Sequence, residues 1–238
     1  MRPIEEKTPN SRWMSTRIHP YLRPLQELFA AHADPAIAAG QAAYMKNKFE
    51  FFGIKTTDRR ALMRGFFKEH GRPGTDRLEE VVRSAWTQKQ REFHYAGMEI
   101  FTHAARQLGP EFLPLAEHMI LHHSWWDTVD HIAVHGVGAI LLRHPQIIRS
   151  TNDRYMKSGE LWLQRTALIF QLQYKEKTDR KLLFDNITGL ADHKDFFIRK
   201  GIGRALRQYA RTDPKAVKEF VSTTPLSPLS VREAMKHL

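Results

Sequence analysis

Apolar positions along this chain recur at helical spacing almost throughout. From Pro20 to Ala31, the side chains of Leu22, Leu25, Leu28 and Phe29 fall on one face of a helix. Asp34-Pro35 then reads as an N-cap with proline at the first helical position, opening a helix through Met45. Thr57-Asp58 opens another, carrying Leu62, Met63, Phe66 and Phe67, and the run Gly71-Arg72-Pro73-Gly74 stops it. The pattern predicts further helices over 75–85, 88–105, 111–122, 125–143, 145–157, 160–173, 178–189, 194–209, 213–222 and 228–237, with Pro, Gly or Asp at most junctions. Few segments alternate, and no Asn-Gly or Asp-Gly turn separates β-branched runs, so strands are not expected.

The helices repeat. Trp162 in "LWLQRTALIF" and Phe196 in "DFFIRKGIGRAL" are 34 residues apart, and Trp126 in "SWWDTVDHI" precedes Trp162 by 36. "QREFHYAGMEI" starts about 35 residues before Trp126. A period of about 34–36 residues with two helices per unit predicts an all-α, HEAT-like solenoid of stacked antiparallel helix pairs. Each unit buries its apolar face against its neighbours, and one concave face stays free. Residues 18–238 read as one domain of this kind. Residues 1–17, which are polar, read as a flexible N-terminal arm.

Composition changes the picture by naming a partner. The 238 residues carry a net charge of +11, with a pI near 9.9, which points to a polyanion, nucleic acid or an anionic surface. There is no cysteine, which excludes disulfides and thiolate chemistry. No apolar run approaches the length of a membrane span and the N-terminus lacks a signal-peptide core, so a cytoplasmic, nucleoid-associated protein is expected.

One stretch sits oddly in so basic a chain: "HSWWDTVDHI", residues 123–132, with adjacent indoles and two carboxylates. On the 125–143 helix, Trp126 and Asp130 are four apart and share a face with Val134, while Trp125, Val129 and Ile132 lie on a more apolar side. Trp125 therefore reads as core, and Trp126 travels with Asp130. Offsetting by one repeat brings Arg165 to the position equivalent to Asp130, and Arg199, Lys200, Arg204 and Arg207 crowd the matching face of the next unit. The expected surface is a basic strip in which an indole and one open carboxylate are set. Of Phe196 and Phe197, one is expected to pack and the other to face the partner.

The segments "YMKNKFEFFGI", "SWWDTVD", "WLQRTALIFQLQYK", "FFIRKGIGRALRQYA" and "LSPLSVREAMKH" resemble the AlkD family of bacterial alkylpurine DNA glycosylases, over roughly residues 18 to 238. The resemblance implies a HEAT-like fold acting as a monomer on double-stranded DNA with alkylated bases, and no cofactor or metal. It implies Asp130 as the catalytic carboxylate, Trp126 as an aromatic wall beside the lesion and Arg165 as a backbone-phosphate contact. Tyr44, Lys46 and Lys48 would line the DNA groove, together with Phe196, Phe197, Arg199, Lys200, Arg204 and Arg207. The chemistry is coherent, because a purine alkylated at N3 or N7 leaves as a neutral base, and a carboxylate then faces the oxocarbenium left on the sugar. The chain departs from the family pattern at Arg204, where the family carries a second tryptophan.

Two rival readings stand beside this one. The same strip on a non-catalytic helical scaffold would bind DNA structure or a protein. Asp127, His131 and His135, at i, i+4 and i+8, have the spacing of metal ligands on one helix face, although 13 histidines in the chain make chance pairs common. Gly201-x-Gly203 follows no strand, so it reads as close helix packing and not as a nucleotide loop.

Overall fold

A computed structural model describes residues 18–236 and residue 238. The arm expected over residues 1–17 lies outside them. Among the described residues the chain is helical throughout, with no strand and an isolated bridge between Glu50 and Gln90. No described helix is long and apolar enough to cross a membrane. The helices stack in pairs, the HEAT-like arrangement that the repeat predicts. They form two compact units, one ending at Ala104 and the other spanning Ala105–Leu238.

The first unit holds α1 (Arg23–Ala31), α2 (Pro35–Tyr44), α3 (Thr56–His70), α4 (Thr75–Trp86) and α5 (Arg91–Ala104). The Asp34 carboxylate caps α2 by accepting the amides of Ala36 and Ile37 at 2.8 and 3.1 Å. Gly71, with φ +68°, ends α3. Phe29, Phe52 and Phe93 meet edge-on or tilted at 5.6–5.9 Å in the core. The loop after α2 is held from inside: Glu92, on α5, accepts the backbone amides of Phe52, Gly53 and Ile54 at 3.0, 3.0 and 3.3 Å. Burial pushes the Glu92 carboxyl up, and the amides oppose that shift.

The second unit begins with α6 (Leu113–Leu121). A continuous rod follows, made of α7 (Trp126–Ile132), a π-helical stretch Ala133–Val137 and α8 (Gly138–Arg143). Then come α9 (Ile148–Lys157), α10 (Leu161–Ile169), α11 (Arg180–Gly189), α12 (Phe196–Tyr209), α13 (Pro214–Thr223) and α14 (Pro228–Ala234). The π-helical stretch has no counterpart in the periodicity, which predicts an uninterrupted α-helix. It ends where the rod is pinned: the Tyr174 hydroxyl donates to the Gly138 carbonyl at 2.7 Å, and a Cβ on Gly138 would lie 2.3 Å from the Phe170 carbonyl oxygen.

Contacts one period apart tie this unit together. Asn152 and Asn186, 34 apart, exchange side-chain amide bonds at 2.9 and 2.7 Å. Arg143 donates to the Leu108 carbonyl, 35 residues back. Helix α10 is the hub, packed against α6, α7, α9, α11 and α12. A helix so surrounded buries residues on several sides, and in α10 these include Leu163, Ala167, Leu168, Ile169 and the charged Arg165.

Candidate functional site

Trp125 enters the rod in extended backbone, φ −158° and ψ 159°, and α7 starts with Trp126. From there the helical turn carries Trp126, Asp130 and Val134 onto one wall, as the i, i+4, i+8 spacing predicts. That wall bounds a cleft of about 510 Å³. Asp127, His131 and His135 line the same side, while Arg204, Arg207 and Gln208 of α12, Arg211 in the turn after it, and Gln173 line much of the rest. The cleft is thus polar and mainly cationic, with Trp126 in its lining.

The carboxylate in it is not open. Asp130 is 7% exposed, and Arg165 grips it with both ends of a fork, Nε to Oδ1 at 2.7 Å and one terminal nitrogen to Oδ2 at 2.8 Å. Arg204 makes a second ion pair with Oδ2. Arg165 is itself 4% exposed and donates its remaining terminal nitrogen to the Phe197 carbonyl. The hub position of α10 accounts for this: a guanidinium buried there needs a full set of acceptors, and Asp130 and Phe197 supply them. The place the sequence reading gives Arg165, on a DNA phosphate, is therefore not where the structure puts it. It orients the carboxylate from below. Gly201 makes the approach possible, since a Cβ there would lie 3.1 Å from the Arg165 guanidinium and 3.3 Å from Leu168.

Both tryptophans are half-buried, so Trp125 is not sealed in the core as the periodicity implies, but the two differ in surroundings. Trp125 packs edge-on against Trp162 at 6.2 Å and Phe197 at 5.1 Å, and Trp162 meets Phe197 at 5.0 Å. Phe196 is 55% exposed, with the Lys200 ammonium 5.9 Å from its ring. Phe197 is the packed member of that pair.

The basic residues of α12 are partly engaged. Lys200 and Arg207 both bind Glu233 of α14, at 2.8 and 2.9 Å, and these bonds hold the Glu233 carboxyl below its usual range. Arg199 donates to the His193 carbonyl at 3.0 Å. Burial, followed by the positive charges of Arg106 and Arg204, holds the His135 imidazole below its ordinary range. His131 and His135 rings lie 4.4 Å apart. Among the described residues no three His, Asp or Glu side chains are placed to hold a metal ion.

Tyr44, Lys46 and Lys48 belong to the first unit. Tyr44 is 69% exposed at the end of α2, and Lys46 and Lys48 are exposed in the turn that follows. The amides of Lys46 and Asn47 bond to the carbonyls of Ala43 and Ala42, a Schellman closure. It puts Lys46 and Asn47 at φ 58° and 54°, a left-handed pair for which no glycine is supplied.

Residues that the sequence reading passed over are Arg211, Gln208, Gln173 and Glu233. Gln208 and Arg211 follow Arg204 and Arg207 by four, a spacing that carries the same face one turn further. Glu233 comes from a different helix, and no local pattern reveals it.

The model of the DNA alkylation repair enzyme family matches residues 25–238. A solved structure described as a predicted DNA alkylation repair enzyme from Enterococcus faecalis is 31% identical and superposes with a TM-score of 0.80, over 87% of this chain and 96% of that one. A search of curated proteins finds no match. By the extent of these matches, this chain belongs to the family of DNA alkylation repair enzymes.

Proposed function

We propose that this protein is a DNA glycosylase that releases cationic alkylated purines from duplex DNA. The observation that carries the reading is a carboxylate clamped by a buried arginine at the wall of a cationic cleft, with an indole on the same wall. Breaking the N-glycosidic bond of a purine methylated at N3 or N7 expels a neutral base and leaves positive charge on the sugar. Asp130 would meet that charge and orient the attacking water, the role a carboxylate plays in glycoside hydrolysis. The Trp126 face attracts a cationic base or sugar through its quadrupole, worth about 0.5–2 kcal/mol. Arg165 fixes the carboxylate in one direction, so no reorganisation is needed when charge develops. Arg207, Arg211 and Lys200 supply phosphate contacts that set register without reading sequence.

The test is release of free 7-methylguanine or 3-methyladenine from methylated duplex DNA. Wild type releases base and Asp130→Asn does not, while both bind the duplex. Equal release by the two proteins removes the assignment.

The ion pair between Arg204 and Asp130 favours a second reading, a non-catalytic relative that binds DNA structure. Under it, wild type shows tight duplex binding and no base release at any enzyme concentration.

A further inference from the structure

The two arginines on Asp130 are not equivalent. Arg165 is buried, makes a two-point fork and has a third partner in the Phe197 carbonyl. Arg204 touches the carboxylate with one nitrogen on one oxygen, and 42% of its side chain is exposed in the cleft. With both in place, one negative charge faces two positive ones, and the carboxylate cannot favour a cationic sugar over a neutral one. Arg207 and Arg211 line the same cleft and add to the excess. A productive complex therefore needs Arg204 elsewhere.

Resting on the glycosylase reading, we propose that Arg204 is a specificity-determining latch, released by a backbone phosphate of the substrate. In the free protein it covers Oδ2 of Asp130. When duplex DNA enters the cleft, the Arg204 guanidinium exchanges the carboxylate for a phosphate oxygen. Both are charge-assisted hydrogen bonds of similar strength, so the exchange is close to balanced and the phosphate decides it. Arg165 needs no such exchange, because its buried fork keeps the carboxylate aimed throughout. The exchange removes the second cation from Oδ2 and leaves the carboxylate held by Arg165 alone, in the cleft that Trp126 also lines. The site thereby works faster on an alkylated base that is flanked by phosphate than on the same base beside a neutral linkage.

The experiment uses duplexes with one 7-methylguanine in which single phosphates flanking the lesion are replaced, one linkage at a time, by neutral methylphosphonates. Wild type and Arg204→Gln are compared for single-turnover base release at saturating enzyme. At the linkage that draws Arg204 away, wild type slows by about tenfold or more, the loss of one charge-assisted contact. On that same substrate Arg204→Gln is faster than wild type, because only Arg165 then neutralises the Asp130 carboxylate. On the all-phosphate duplex the order does not invert in this way. An arginine that merely binds phosphate predicts a variant no faster than wild type on every substrate, and that result overturns the latch while leaving the glycosylase reading intact. Absence of release by wild type on the all-phosphate duplex overturns both. Arg204→Met, which lacks the amide of glutamine, repeats the comparison and guards against a new hydrogen bond to Asp130.

Discussion

Asp130 and Arg165 are 35 residues apart and meet in a two-point ion pair at 2.7 and 2.8 Å, with neither side chain more than 9% exposed. The separation is one repeat, so two structurally equivalent positions, one acidic and one basic, face each other across stacked helices. Pairing is what makes both tolerable in the interior. Arg165→Leu is expected to strand a buried carboxylate with only Arg204 left to hold it, and to lower stability by about 3 kcal/mol. Arg204→Ala, at a side chain 42% exposed, is expected to cost less than about 1 kcal/mol. Urea unfolding of the two variants checks the contrast. Equal losses would refute the division between a buried anchor and an exchangeable partner.

On the proposed reading, Glu233 would compete with DNA for cations on α12. It binds Lys200 and Arg207 at 2.8 and 2.9 Å. Glu233→Gln is expected to free both and to tighten binding to undamaged duplex several-fold at low salt. The dependence of log affinity on log salt should steepen, by up to about one unit for each additional phosphate bound. Titration by fluorescence anisotropy at several salt concentrations measures both. Unchanged affinity and slope would mean that Lys200 and Arg207 do not reach phosphates.

The same carboxylate sets a pH dependence. Its pKa in the folded protein lies below the usual glutamate value because Lys200 and Arg207 donate to it. A group depressed on folding contributes stability that is complete above its unfolded value and is lost as pH falls through the folded one. The wild-type advantage in stability over Glu233→Gln is therefore expected to persist at neutral pH and to fade with acidification, vanishing below the ordinary glutamate range. Thermal unfolding from neutral pH into that range follows it. A difference independent of pH would place the effect of the substitution in packing and not in charge.

Much of this was legible from residues, for identifiable reasons. Helix positions follow from apolar period and cap residues such as Asp34, both local signals. The meeting of Asp130 with Arg165 was within reach because a repeat converts sequence separation into spatial adjacency. The direction of the Arg165 guanidinium was not, because it depends on how many helices surround α10. Arg204 was readable as a cation on the right face, but a periodic pattern fixes a face and not the reach of a long side chain. Glu233 arrives through the docking of α14 on α12, and the π-helical stretch after Asp130 ends at Gly138, against the Phe170 carbonyl and the Tyr174 hydroxyl. None of these has a local sequence signature.

Close packing of α14 on α12 makes a further prediction. A Cβ on Gly203 would sit 2.4 Å from the Glu233 Cβ and 2.9 Å from the Ser230 carbonyl oxygen. Gly203→Ala is expected to push α14 away and to destabilise by about 1–3 kcal/mol, despite alanine's better helix propensity. Because Glu233 moves with α14, its bonds to Lys200 and Arg207 should loosen, and DNA affinity should rise as in Glu233→Gln. Stability and anisotropy measured on one preparation test the linkage. A stable variant with wild-type affinity would show that α14 adjusts without moving Glu233.

The adjacent tryptophans give the sharpest separation of structure from activity. Trp125 packs against Trp162 and Phe197, and Phe197 supplies a carbonyl to Arg165, so its indole supports the floor beneath Asp130. Trp126 lines the cleft instead. Trp125→Ala is expected to lose about 2 kcal/mol of stability, less than the full core value because the residue is only half-buried. Trp126→Ala should lose less than half as much, yet slow base release by about three- to thirtyfold, the range that one cation–π contact supports. Trp126→Phe keeps a weaker quadrupole and should fall between. The comparison needs unfolding curves and single-turnover release for all three proteins. Should Trp126→Ala release base at the wild-type rate, the indole is a wall of the cleft and nothing more.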